Sequence, residues 1–177
     1  MGRSAVARID DAPATWHLLP APLAAELGRT IASFGHLEDM LKRAIFALDR
    51  HHLPAGISER DFQAWLRRMD HVAADSLGTL IERLDRTLLR EGRVDRALVA
   101  DLAEIRDWRN LLCHAAWRPA PDGAGWQPVF VNTRGEVHEG VLAEADLAAI
   151  RALTLDAAAR ARRIIEALDG EGNGTGE

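Results

Sequence analysis

Tyrosine is absent from the 177 residues, and cysteine occurs once, at position 113. A lone thiol excludes an intrachain disulfide and fits a reducing compartment, so the cytoplasm is the expected location. No apolar run approaches the roughly 20 residues that a membrane-spanning helix needs. Met1 to Asp11 also lacks the apolar core of a secretory signal, so a protein with no membrane partner is expected. Equally missing are a Gly-rich strand-to-helix loop that would cradle phosphates and the Gly-x-Ser-x-Gly elbow of acyl transfer. His51-His52 and His71 have neither the i, i+4 spacing nor the cysteines of a zinc site. Cys113 and His114 are adjacent, so on a helix they point about 100° apart and form no thiol-imidazole dyad. Cys113 is read as a packing residue, and neither a metal nor a cofactor is expected.

Positive charge is in deficit as well. Lys and Arg number 22 against 27 Asp and Glu, a net charge of -5, so the field of the whole molecule repels a phosphodiester backbone. Any nucleic-acid site must then be a local basic patch. Hydrophobic residues at 47% and charged residues at 28% make a globular composition, long enough for a single core and too short for two ordinary domains.

The patterning is helical. A first helix is expected from about Pro22 to Asp49, carrying Leu23, Leu27, Ile31, Phe34, Leu41, Ile45 and Leu48 at spacings of three and four. Arg50, His51 and His52 cap its carbonyl end before Pro54 and Gly56. Ser58 with Asp61 opens a short helix to about Met69. Asp75 or Ser76 opens a third, with Leu77, Leu80, Ile81, Leu84 and Leu88, ended by Gly92. A fourth runs from about Val94 to Ala115 on Leu98, Leu102, Ile105, Trp108 and Leu112. Trp117 to Gly125 reads as a loop. Trp126 to Val131 and Glu136 to Val141 read as a β-hairpin around Asn132-Thr133-Arg134-Gly135. A final helix spans about Glu144 to Leu168. The expected organisation is an N-terminal arm over 1–20, an all-α bundle of about five helices with a small hairpin before the last over 21–169, and a disordered Gly-rich acidic tail over 170–177.

The chemistry concentrates in Arg109-Asn110-Leu111-Leu112-Cys113-His114, late in the fourth helix. At about 100° per residue, Arg109 lies within the arc of Leu98, Leu102 and Ile105, while His114 lies about 140° further round with Arg106 and Asn110. An arginine on an apolar stripe needs a partner, because an unpaired buried charge costs several kcal/mol. Glu38 falls in the apolar arc of the first helix, and the two are expected to meet across the interface. Trp108, Trp117 and Trp126 have the rings to stack bases, but such positions more often fill core gaps.

Arg109-Asn110-x-x-x-His114 resembles the Arg-x4–6-His signature of the HEPN superfamily, with a polar residue after the Arg. Phe34-Gly35-His36-Leu37-Glu38 in the first helix and the closing helix extend the resemblance over about Pro22 to Leu168. Catalytic HEPN domains are metal-independent endoribonucleases that act as dimers, joining two motif copies in one cleft. The resemblance therefore implies a homodimer that cleaves RNA in a defence or toxin-antitoxin setting, with an antitoxin or defence protein as a possible partner. His114 is the implied general acid or base, and Arg109 stabilises the phosphoryl charge. Asn110 orients the pair, with Glu38, Arg106 and Arg118 in support; Arg106, Arg118 and Arg134 clustered around His114 would favour the nuclease, and carboxylates there the binding module. The alternative is a non-catalytic module of the same type that binds RNA, a nucleotide or a protein. HEPN toxins paired with minimal nucleotidyltransferases often carry a tyrosine two residues after the histidine. Ala116 stands there, which excludes inactivation by modification at that position.

Overall fold

The computed structural model describes residues 18–121, 123, 125–130 and 140–173. Among them lie α1 (Ala21–His51), α2 (Glu59–Ala74), α3 (Leu77–Arg90), α4 (Arg96–His114), β1 (Ala116–Pro119), β2 (Trp126–Val129) and α5 (Glu144–Asn173). The chain is an all-α bundle of five helices with a two-stranded antiparallel hairpin before the last.

Local chemistry sets the helix ends. Ser58 Oγ accepts the Asp61 N–H, capping α2 as the sequence suggests, and its hydroxyl donates to Asp61 Oδ2 at 2.7 Å. Ser76 Oγ accepts from Thr79 N–H, and Asp95 Oδ1 accepts from Leu98 N–H at 2.9 Å, opening α3 and α4. Gly92, at φ 67°, ends α3. Its N–H donates to Leu89 O and the Arg93 N–H donates to Leu88 O, a paired closure that needs a left-handed residue and so favours glycine.

Contacts fix the directions. Thr30 Oγ1 donates to Leu147 O, while the C-terminal residues Ala47 and His51 share a cleft with Ile165 and Asp169, so α1 and α5 run the same way. Arg90 at the end of α3 pairs with Asp49 at the end of α1. Asp95 and Asp101 early in α4 hold Arg160 late in α5, so α4 runs opposite to both. Leu37, Leu41, Ile45, Leu84, Leu102, Ile105 and Leu147 are fully buried between these helices. Small residues are prominent among those buried on α1 and α5: Ala44 on α1 and Thr154, Ala157, Ala158 and Ala161 on α5. Small side chains let the two backbones approach closely along their length.

That close approach rotates the buried face of α1. Glu26, Thr30 and Ser33 are buried although polar, and Ile31, expected in the core, is 39% exposed. The single Thr30 hydroxyl proton is shared between Leu147 O and Glu26 O, and Ser33 Oγ donates to Thr30 O, so these hydroxyls enter the interface satisfied.

A strand that the sequence does not suggest precedes the expected pair, while Leu142, just beyond the expected second strand, bridges antiparallel to Trp126. Residues 116–119, expected as loop, pair antiparallel with β2, Trp117 opposite Pro128 and Pro119 opposite Trp126. Prolines are tolerated in a short ribbon where the partner strand needs no N–H from them. A Cβ at Gly125 would lie 2.7 Å from Val141 Cγ1, so the turn requires glycine where the chain returns. Leu142 N–H then donates to Trp126 O. The expected turn Asn132 to Gly135, Arg134 and most of the strand from Glu136 lie outside the described residues, as does the arm before residue 18. The last helix continues to Asn173, beyond the expected end at Leu168 and into the stretch read as disordered tail; residues 174–177 lie outside the described residues.

Two carboxylates tie α5 to its neighbours. Glu26 accepts from Arg151 Nε at 2.6 Å and from Arg29 Nη1 at 3.1 Å. The Arg151 hydrogen bond, opposed by burial and joined by Arg29, holds Glu26 below its ordinary pKa of 4.5. The Leu98 N–H, opposed by burial and joined by Arg160, holds Asp95 below its ordinary 3.8. A carboxylate lowered on folding contributes stability that is complete above its unfolded pKa and is lost as pH falls through the folded value. The urea midpoint is therefore expected to hold down to about pH 5 and then fall, with Glu26→Gln showing a shallower acid-side loss. An equally steep loss in Glu26→Gln, measured by urea titration from pH 3 to 7, contradicts the assignment.

Candidate functional site

Leu98, Leu102, Ile105 and Leu112 seat α4 in the core, which places Arg109, Asn110 and His114 in its last two turns. The Ala115 N–H donates to Leu111 O at 2.9 Å, closing the last turn, and Ala115 itself is extended. β1 begins one residue later. His114 thus stands at the junction of helix and hairpin, exposed, with its ring stacked on Phe130 at a centroid distance of 6.2 Å and an interplanar angle of 26°. Nothing in the sequence marks Phe130 as its neighbour, because that contact depends on where the hairpin folds back.

Arg109 is half-buried. Its Nη2 stands 4.0 Å from Glu38 Oε1 across the α1–α4 interface, and its Nη1 donates to Asn110 Oδ1 at 3.4 Å. Glu38 and Arg109 do face each other, but at the outer limit of an ion pair. Charge-assisted hydrogen bonds normally close to about 2.7–2.9 Å. Arg151 and Arg160 make such bonds, at 2.6 Å to Glu26 and Asp101. Arg109 therefore keeps most of its five N–H donors uncommitted to Glu38 or Asn110, with its head at the protein surface.

Arg106 and Asp107, neighbours on α4, form a surface pair at 2.9 Å, an arrangement that contributes little stability. Arg118, half-buried on β1, has no carboxylate partner among the described residues. Trp108, Trp117 and Trp126 are packed against the core, and Trp108 Nε1 donates to Glu104 Oε1 at 3.2 Å. Their rings fill space under the hairpin and α4. Cys113, read from the sequence as a packing residue, is exposed. It lies about 100° round the helix from Leu112, beyond the arc that the core covers.

No hydrogen bond joins Arg109 to His114 among the described residues. With α4 regular to its last residue, their five-residue spacing keeps them about 140° apart. One chain presents the cation and the imidazole on neighbouring but different faces. Among the described residues, no group of three or more His, Cys, Asp or Glu is placed to hold a metal ion, and no helix is long and apolar enough to cross a membrane. No protein-family model, curated protein or solved structure matches the chain.

Proposed function

We propose that this chain is a metal-independent endoribonuclease of HEPN type, acting as a cytoplasmic homodimer in a defence or toxin-antitoxin setting. The observation that carries the reading is Arg109: it lies on the bundle-facing arc, yet its carboxylate stands off at 4.0 Å while the other interhelical arginines are tightly paired. A guanidinium positioned but not neutralised is suited to a phosphoryl group.

The chemistry needs proton transfer and charge stabilisation only. An imidazole, which exchanges protons near neutral pH, takes the proton of a ribose 2′-hydroxyl, and the 2′-oxygen attacks the adjacent phosphorus. The bond to the 5′-oxygen breaks, and that oxygen takes a proton from a second imidazole. A 2′,3′-cyclic phosphate and a 5′-hydroxyl result. Each chain contributes one His114, so acid and base come from two copies. Arg109 donates to the non-bridging oxygens as their charge develops. Asn110 and Glu38 orient it, and Arg106 and Arg118 supply local positive potential in a chain of net charge -5.

That acidic balance favours one second reading, a non-catalytic module that binds RNA, a nucleotide or a protein through the same face. Cleavage of end-labelled single-stranded RNA and tRNA in EDTA separates the two. The expected outcome is discrete fragments with cyclic phosphate ends, reduced about 10²- to 10³-fold in Arg109→Ala. Retarded but intact RNA moves the assignment to the binding module, and equal cleavage by both proteins marks a contaminant.

A further inference from the structure

A cleft lies away from the Arg109 face. It measures about 900 Å³ and opens between the C-terminal halves of α1 and α5, with the end of α2 as its third wall. Met40, Arg43 and Ala47 line it from α1, about 140–180° round that helix from Glu38. The floor is aliphatic and thioether: Met40, Met69, Val72, Ile165 and Leu168. Phe46, 38% exposed, edges it, backed by Trp65 at a ring distance of 4.9 Å.

The rim carries the opposite sign to the molecule. Among the described lining residues, Lys42, Arg43, Arg50 and Arg162 stand against one carboxylate, Asp169, whereas the whole chain has a net charge of -5. Among the described residues, Arg43 and Arg162 are engaged by exposed neighbours on their own helices, Asp39 and Glu166. Lys42 and Arg50 have no carboxylate partner among the described residues. The α1 wall from Met40 to His51 is about 17 Å long, three turns of helix.

We propose that this cleft is a docking groove for an amphipathic, acidic α-helix of a partner protein. Two near-parallel helices with apolar residues between them accept a third helix by its i, i+3, i+4 and i+7 anchors, and methionines adapt their shape to those anchors. The cationic rim selects carboxylates on the flanks of the incoming helix and speeds its arrival. RNA fits less well, because the floor offers aliphatic side chains and one partly exposed ring rather than a series of stacking faces. The proposal stands independently of the ribonuclease reading.

The test uses a fluorescent, helix-stapled 15-residue peptide with leucines at i, i+3, i+7 and i+10 and glutamates on its flanks. A scrambled version and one with lysine flanks serve as controls. With the full chain, the acidic amphipathic peptide is expected to bind saturably, with NMR shifts at Met40, Ala47 and Ile165. Binding should weaken at least tenfold in Lys42→Glu/Arg50→Glu and in Ile165→Asp. Far-UV circular dichroism checks both proteins, and the two surface charge reversals decide the matter if Ile165→Asp fails to fold. Equal binding of the lysine-flanked peptide, unchanged affinity in the charge-reversed protein, or shifts at these residues caused by a 12-nucleotide RNA or by laurate but not by the peptide overturns the proposal.

Discussion

His114→Ala is expected to lower RNA cleavage by about 10²- to 10⁴-fold, the range for loss of a positioned proton-transfer group. The side chain is exposed and stacks on Phe130, so folding should suffer little, by about 1 kcal/mol or less even with the loss of a histidine at a helix C-terminus. The two-copy arrangement makes a sharper demand. Arg109 and His114 point about 140° apart on one α4, so in the proposed dimer the reacting group lies between residues of different chains. A heterodimer of wild type and His114→Ala then retains no complete acid-base pair. Its activity should fall with the mutant homodimer, not to half of the wild type. Differentially tagged heterodimers, purified and assayed in EDTA, give that value directly. Half activity would show that each chain works alone and would remove the two-copy mechanism, while a His114→Ala homodimer as active as wild type would remove the enzyme.

Leu41→Ala is the substitution with the largest expected cost to folding, about 2–5 kcal/mol. Leu41 is fully buried in α1, the helix that contacts α3, α4 and α5, so the vacated volume is enclosed by several helices and closes only partly. For a chain of this size the melting temperature should fall by roughly 5–20 °C. Ile31→Ala deletes a similar volume from the same helix where the side chain is 39% exposed, and should cost less than about 1 kcal/mol. Thermal and urea unfolding of the two variants side by side measures how far the buried face of α1 has turned. Equal losses would show that Ile31 is covered in solution, for example by a second copy.

The helices were legible because their signals are local. The 3.6-residue period, the Ser58 and Ser76 caps and the stop at Gly92 each act within a turn or two, and each appears where the residues call for it. The opposed placement of Arg109 and His114 was legible for the same reason, since it follows from five residues on one helix. β1 was missed because Pro119 and Pro121 read as loop signals, whereas a strand accommodates a proline where its partner needs no N–H from it.

The sequence by itself therefore determined five amphipathic helices, their approximate ends, and a cation and an imidazole held apart on the last turns of α4. Only the tertiary structure decided which faces those helices bury and how firmly each arginine is held. Glu26 and Arg151 are 125 positions apart, as Thr30 and Leu147 are 117 apart, and no periodicity within one helix reports on such partners. Close packing of α5 drew Glu26, Thr30 and Ser33 inward and left Ile31 at the surface. The same assembly set Glu38 4.0 Å from Arg109, because hydrophobic pattern chooses a side of a helix but the distance across an interface is set by the packing of every residue around it.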